Sequence, residues 1–310
     1  MLTGTVFGTT YAVKFFHLNL SQQTVQEDLD SIFNDLNQSL STYLPNSDIS
    51  KINKGDTTLI VDAHFKKVFH KTSEVWKLTE GYFDPTVGNL VNAYGFGPGK
   101  RAKQLSMETL DSLLEDVGWE HIVLTSKGTI HKKKTNTFLD FNALAKGYAV
   151  DVVGIHLQNL GVQNYLIEIG GEVVARGKNM MKDSKWKVGI DHPKQGAERK
   201  LLKRIALENQ ALATSGNYRK FRVDPQTGIR FTHTVNPKTG KAERTSIVSV
   251  SVVASDCMSA DAWATALMLL PLNRGQSIVE ATANLDAYWV VAAEAGNMVE
   301  EFSENWPREE

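Results

Sequence analysis

Hydrophobic and polar residues alternate in blocks whose period switches between that of a helix and that of a strand along the whole chain. Val25, Leu29, Ile32, Phe33, Leu36 and Leu40 fall on one helical stripe and predict a helix over 21–40, with Thr24 and Glu27 at capping-box spacing near its start. A second helix over 64–80 stops at Gly81. Leu110, Leu113, Leu114 and Val117 mark a third that ends at Gly118-Trp119, and a fourth over 143–160 ends at Gly161. Strand patterns cover 6–16, 165–169, 172–176, 247–254 and 288–292. A hairpin over 122–131 turns at Ser126-Lys127-Gly128. Two Pro-x-Thr-Gly turns, at 225–228 and 237–240, suggest a meander over 219–241. Helices are expected over 259–270 and near Ile278. Helices and strands without a strict βαβ rhythm point to an α+β architecture.

With 310 residues the chain is long enough for two lobes or one large domain, and the cleft between lobes is the default ligand site. The hydrophobic share of 42% and charged share of 22% exclude disorder, collagen and coiled coil as readings of the whole chain. A net charge of −1 leaves no electrostatic footprint for nucleic acid. The single Cys257 excludes an internal disulfide and a Cys-based zinc site. The first residues lack a basic stretch followed by an apolar one, so no signal peptide is expected in them. The apolar run 262–272 is too short to span a bilayer. Gly95-Phe96-Gly97-Pro98-Gly99-Lys100 fails as a phosphate loop because Tyr94 and Arg101 occupy its defining positions. It fails as a dinucleotide fingerprint because Ala102 replaces the last glycine. A structural loop is the reading left for it.

Four segments are chemically loaded. Phe83-Asp84-Pro85-Thr86 reads either as a turn with Asp84 capping a helix, or as a polar ledge for a ring system. Around Asp140-Phe141-Asn142-Ala143 a strand gives way to a helix, whose free N–H groups attract anions and to which Lys146 adds a cation; the plain alternative makes Asp140 an N-cap. His233 sits beside a tight turn in a polar run, as a structural histidine or as a general base. Asp261 and Thr265 share one helix face at i,i+4. A carboxylate and a hydroxyl suit a hard cation such as Mg²⁺, whereas the alternative is a dipole-favoured Asp with Thr265 bonding back to its own helix.

These segments occur in order, together with Phe7-Gly8-Thr9, Ser41-Thr42-Tyr43, Asn92-Ala93-Tyr94-Gly95-Phe96, Lys146-Gly147-Tyr148, Glu168-Ile169-Gly170-Gly171, Ala213-Thr214-Ser215-Gly216 and Asn236-Pro237. The ordered set resembles the FAD:protein FMN transferase family, also called the ApbE family, from Phe7 to about Leu270. The resemblance implies one catalytic unit over 1–310, made of two related, intertwined α+β lobes in a T-fold-like arrangement with a flavin cleft between them. It implies transfer of FMN from FAD to a Thr hydroxyl of an acceptor flavoprotein, such as a redox-pump subunit, with AMP released and Mg²⁺ required. A Mg²⁺-dependent FAD pyrophosphatase and a non-catalytic FAD-binding protein are the alternatives.

By motif position the resemblance makes Asp261 and Thr265 metal ligands through their side chains, and Ala143 through its carbonyl. Phe7, Tyr43, Phe83, Asp84, Pro85, Thr86, Asp140, Lys146 and Val235 are implied to line the FAD pocket, and His233 matches the position of the base. Three positions depart from the family pattern. Phe7 stands where Met is common, Lys146 where many members are acidic, and Ala264 where some relatives are polar or acidic. The resemblance also carries an expectation of an exported, periplasmic or lipid-anchored protein whose leader is absent from this chain, with a cytoplasmic protein as the alternative.

Overall fold

The computed structural model describes residues 1–17, 20–98, 105–193, 200–217, 221–223, 230–242, 245–294 and 297–307. The chain opens with strands β1 (Leu2–Val6) and β2 (Thr9–Phe15), followed by helices α1 (Gln22–Leu40), α2 (Asp48–Asn53), α3 (Ala63–Leu78), α4 (Gly88–Ala93) and α5 (Met107–Leu114). Next come β3 (Ile122–Leu124), β4 (Ile130–Lys132), α6 (Ala145–Asn159), β5 (Tyr165–Ile169), β6 (Glu172–Arg176), β7 (Trp186–Asp191), β8 (Leu201–Leu207) and β9 (Gln210–Gly216). The last third holds β10 (Phe221–Val223), β11 (Arg230–Thr232), β12 (Ile247–Ala254), α7 (Cys257–Leu267), α8 (Leu272–Glu280), β13 (Leu285–Ala292) and β14 (Met298–Phe302). The fold is a mixture of helix and sheet, as expected.

Two compact units are interleaved along the chain. The first comprises Met1–Asn34, Leu144–Tyr218 and Ser246–Glu310; the second comprises Asp35–Ala143 and Arg219–Thr245.

The first unit is built on an eight-stranded sheet in the order β1-β2-β5-β6-β9-β12-β13-β14. Every neighbouring pair in it is antiparallel. Because side chains alternate across a strand, β6 sends Val173 and Ala175 to one face and Glu172 and Val174 to the other. The Val173 face packs with Trp186, Ile190, Ile205 and Leu207 of the β7–β8 ribbon and with Leu212, Val253, Tyr288 and Val290. Helices α6 and α7 pack against each other and against the sheet. Gly147 makes that contact close: a Cβ there would run into the Cys257 carbonyl.

The second unit contains α2 to α5, the β3–β4 hairpin and the β10–β11 hairpin. Its helix starts follow cap chemistry. Ser47 accepts from the Ser50 N–H, Asp62 from Phe65 and Ser106 from Thr109. One apolar cluster gathers Leu90, Tyr94, Leu110, Val235 and Ala242.

Several expectations need correction. The 6–16 segment is not one strand but the turn and second arm of a hairpin. Phe7 (φ 50) and Gly8 (φ 72) form a two-residue turn, and Thr9 pairs back with Val6. Left-handed backbone is costly for a bulky side chain, so Phe7 gave no turn signal. The Thr24/Glu27 pair is no capping box, because α1 has already begun at Gln22. No strand ends at Asp140; Phe138 makes only an isolated bridge with Val87. The fourth helix begins at Ala145, not at 143. Helix α7 starts at Cys257, where Asp256 caps it by accepting from Ser259. Strands β7, β8, β9 and β14 and the short helices α2 and α4 were not predicted. Residues 225–228 and 99–104, which carry the first Pro-x-Thr-Gly turn and part of the glycine-rich loop, lie outside the described residues.

Candidate active site

In the first unit a buried charged cluster joins α6, α7 and β6. The Lys146 Nζ lies 2.5 Å from Glu172 Oε1 and 4.0 Å from Asp261 Oδ1. Glu172 and Asp261 are each 4% exposed. Two carboxylates around one ammonium leave an excess negative charge in a poorly solvated place. Asp261 Oδ2 accepts the Gly147 N–H at 3.0 Å, so a donor in the first turn of α6 is taken by this carboxylate. One helical turn after Asp261, the Thr265 hydroxyl meets that of Ser215 on β9 at 3.2 Å.

The electrostatics follow from burial. Desolvation pulls the Lys146 ammonium toward deprotonation, but Asp261 and Glu172 more than offset this and its pKa rises above the ordinary lysine value. Burial pushes the Asp261 pKa up, with Lys146 opposing and Glu172 adding to the rise. Asp151 accepts from the Cys257 and Met258 N–H groups at the start of α7, yet burial still raises its pKa to about 7. The Cys257 thiol is pushed well up by burial and neighbouring carboxylates, which leaves it inert as a nucleophile.

The donor set suits a small hard cation. Asp261 Oδ1 keeps only a distant ammonium, Thr265 adds a hydroxyl, and Glu172 Oε2 is buried with no hydrogen-bond partner among the described residues. No group of three or more His, Cys, Asp or Glu that could hold a metal stands together among the described residues. Few protein ligands is the habit of Mg²⁺, which keeps waters and takes phosphate oxygens.

Phe7 occupies the β1–β2 turn, with its ring edge-on to Phe33 at 5.7 Å. A cavity of about 680 Å³ elsewhere in this unit is lined by Phe16, Met181, Trp186, Lys14, Lys182 and Lys187 among others. It shares no lining residue with the charged cluster, and its lining contains no carboxylate, histidine or thiol among the described residues.

In the second unit, Phe83, Asp84, Pro85 and Thr86 are all buried. Asp84 does not cap α4, whose N-cap is Val87. Its Oδ1 accepts from the Thr86 N–H and hydroxyl at 2.8 and 2.6 Å, and its Oδ2 from the Trp119 N–H and Trp76 Nε1 at 3.0 and 3.1 Å. Thr86 Oγ1 in turn accepts from the Gly118 N–H at 2.7 Å. Burial raises the Asp84 pKa against these four donors. The Pro85 carbonyl takes the Asp140 N–H at 2.8 Å. Asp140 is not an N-cap either: its Oδ1 accepts from the Asn142 N–H, a turn placed before the helix. Burial raises the Asp140 pKa too.

Tyr43 is 57% exposed and its hydroxyl donates to the Phe96 carbonyl at 3.3 Å. Partial desolvation and the nearby Asp140 raise its pKa. Ala143 lies in the turn before α6. His233 is half-buried, with its ring 6.4 Å from that of Phe96. The turn after it is locked by the Gly240 N–H to the Asn236 carbonyl and the Lys238 N–H to Asn236 Oδ1. Val235 packs its side chain in the apolar cluster, 4% exposed.

Lys146, Asp261 and Thr265, singled out in the sequence, stand together here with Glu172, Asp151 and Ser215, to which the sequence reading assigned no individual role. The signal for Glu172 was available: a glutamate one residue past Gly170-Gly171 opens a strand whose next three residues are apolar.

The model of the ApbE family matches residues 7–289. A protein of Haemophilus influenzae named FAD:protein FMN transferase is 35% identical over 95% of this chain and 87% of its own length. A Vibrio cholerae protein of the same name is 34% identical over 90% of this chain and 84% of its own. Among solved structures, the flavin transferase ApbE from Vibrio cholerae superposes with a TM-score of 0.89 at 32% identity, covering 98% of this chain and 97% of that one. The apo flavinyl transferase ApbE of Pseudomonas stutzeri gives 0.86 at 29% identity, over 98% and 94%.

Proposed function

The chain belongs to the ApbE family, and from that premise we propose that it is a Mg²⁺-dependent FAD:protein FMN transferase, moving FMN from FAD onto a Thr hydroxyl of an acceptor flavoprotein and releasing AMP. The observation that carries the proposal is the buried cluster at Asp261, which holds excess negative charge beside a hydroxyl and leaves one carboxylate oxygen uncommitted to any close donor among the described residues.

The reaction is attack on a diphosphate. The Thr oxygen forms a bond to the phosphorus of the FMN half, and the bond from that phosphorus to the bridging oxygen breaks, so AMP departs. The barrier lies in charge on the phosphate oxygens and in alignment of the two groups. Mg²⁺, when bound, supplies charge neutralisation at the diphosphate. Asp261, Thr265 and the Ala143 carbonyl are assigned to hold it. Lys146 adds a fixed positive charge beside Asp261. His233 takes the proton of the incoming hydroxyl, general-base work worth about 10²–10⁴-fold. Phe7, Tyr43 and Val235 are assigned to FAD. The Phe83–Thr86 segment and Asp140 join them through a backbone held in place by the Asp84 bonds and the Pro85–Asp140 link.

The test is incubation with FAD, Mg²⁺ and an acceptor domain bearing a target Thr, followed by intact mass and nucleotide analysis. The proposal expects one FMN per acceptor and AMP in equal amount. AMP with only free FMN would make the protein a pyrophosphatase, and FAD left intact would make it a binding protein.

A further inference from the structure

Glu172 has no part in the reaction as assigned above, although it is as deeply buried as Asp261. A carboxylate at an interior strand position is costly, and an apolar residue would pack there without that cost. Its surroundings indicate what it does. The Lys146 ammonium is a point charge on a flexible stem, and Gly147, the next residue, already bonds Asp261 through its N–H. Lys146 is therefore anchored beside Asp261 and has the reach to close on it. It does not: Nζ lies 2.5 Å from Glu172 and 4.0 Å from Asp261. Glu172 is fixed from below by the sheet, where Glu172 pairs with Ile169 and its neighbour Val173 with both Glu168 and Leu212.

We propose that Glu172 is a positioning residue: it tethers Lys146 away from Asp261 and so keeps Asp261 Oδ1 open to a divalent cation. Without the tether, Asp261 is the carboxylate left in ion-pair range of the Lys146 ammonium among the described residues. The two groups close into a direct, charge-assisted pair that competes with the metal for the same oxygen. The inference rests on the reading of Asp261 as a metal-holding residue.

The test is Mn²⁺ binding to the full chain, read by the electron paramagnetic resonance signal of free Mn²⁺, in the wild type and in Asp261→Asn, Glu172→Gln, Lys146→Met and the Glu172→Gln/Lys146→Met double variant. The tether predicts that Glu172→Gln weakens Mn²⁺ binding about tenfold or more. It predicts that Lys146→Met binds at least as tightly as the wild type, and that the double variant recovers to within about threefold of the wild type. A purely structural role for Glu172 would not be relieved by also removing Lys146. Unchanged binding in Glu172→Gln, or equal weakness in the single and double variants, overturns the tether and leaves the metal site standing. If Glu172→Gln does not fold, Lys146→Met carries the test, and weaker binding there overturns the tether. No Mn²⁺ binding in the wild type, or binding that Asp261→Asn leaves intact, overturns the metal reading and the tether with it.

Discussion

Asp84 and Asp261 are both buried carboxylates, 8% and 4% exposed, one in each unit. Burial raises the pKa of both. They differ in how their oxygens are used. Asp84 accepts from four donors and ties together Trp76, Thr86 and Trp119. Asp261 accepts one backbone N–H, and its other oxygen faces an ammonium held at 4.0 Å by a competing carboxylate. Burial alone therefore does not mark a reactive carboxylate. A fully satisfied one is an internal strut, and an incompletely satisfied one in a cluster of excess charge keeps oxygen free to accept a further partner.

The largest expected effect follows from removing charge at Asp261. Asp261→Asn should take FMN transfer to background, a loss of roughly 10³-fold or more, as expected when the group holding a catalytic metal is lost. The Asn oxygen can still accept from Gly147, so the melting temperature should stay close to that of the wild type. Steady-state transfer and a thermal melt on one preparation check both halves. A His233→Ala change should lower transfer by about 10²–10⁴-fold while FAD affinity, read by flavin fluorescence, stays within a few-fold. Equal losses of affinity and rate would make His233 a pocket residue.

The contrast predicts the reverse pattern for Asp84. Asp84→Asn puts an amide donor among groups that are themselves donors, and should cost on the order of 3 kcal/mol of stability. Denaturant unfolding measures this, and the folded fraction should still bind Mn²⁺.

The smallest effect concerns pH. The folded pKa of Asp151, about 7, lies above the ordinary 3.8. A carboxylate raised by folding contributes stability that is complete below its unfolded pKa and is lost as pH rises through the folded one. The melting temperature should therefore fall between about pH 4 and pH 7. Asp151→Asn should flatten that slope without abolishing it, because Asp261 titrates in the same direction.

What could be read in the sequence divides along the same line. Elements with long apolar stripes or β-branched runs, such as α1, α3, β5 and β12, matched their patterns, as did turns at Gly81, Gly128 and Gly161. The β7–β8 ribbon was missed because its partly exposed strands carry lysine and arginine among the apolar residues. The Phe7 turn was missed because a bulky residue at positive φ violates local preference, and pairing of the flanking strands and packing of the ring on Phe33 sustain it. At the site, Asp261 and Thr265 are i,i+4 on one helix and visible as a pair, as are local motifs such as Asp84-Pro85-Thr86. The Glu172–Lys146 contact joins a strand to a helix 26 residues away in sequence, and no local period encodes it. Nor did local reasoning distinguish a capping Asp84 from a saturated one, because Trp119 reaches it from 35 positions along the chain.

The central claim, that Asp261 serves chemistry where Asp84 serves the fold, is tested most directly by one paired measurement. Equal folded amounts of wild type, Asp261→Asn and Asp84→Asn are incubated with FAD, Mg²⁺ and a Thr-bearing acceptor domain, and FMN on the acceptor is counted by intact mass. The account predicts labelled acceptor with the wild type and with folded Asp84→Asn, and none with Asp261→Asn. Labelling by Asp261→Asn at the wild-type rate would contradict it.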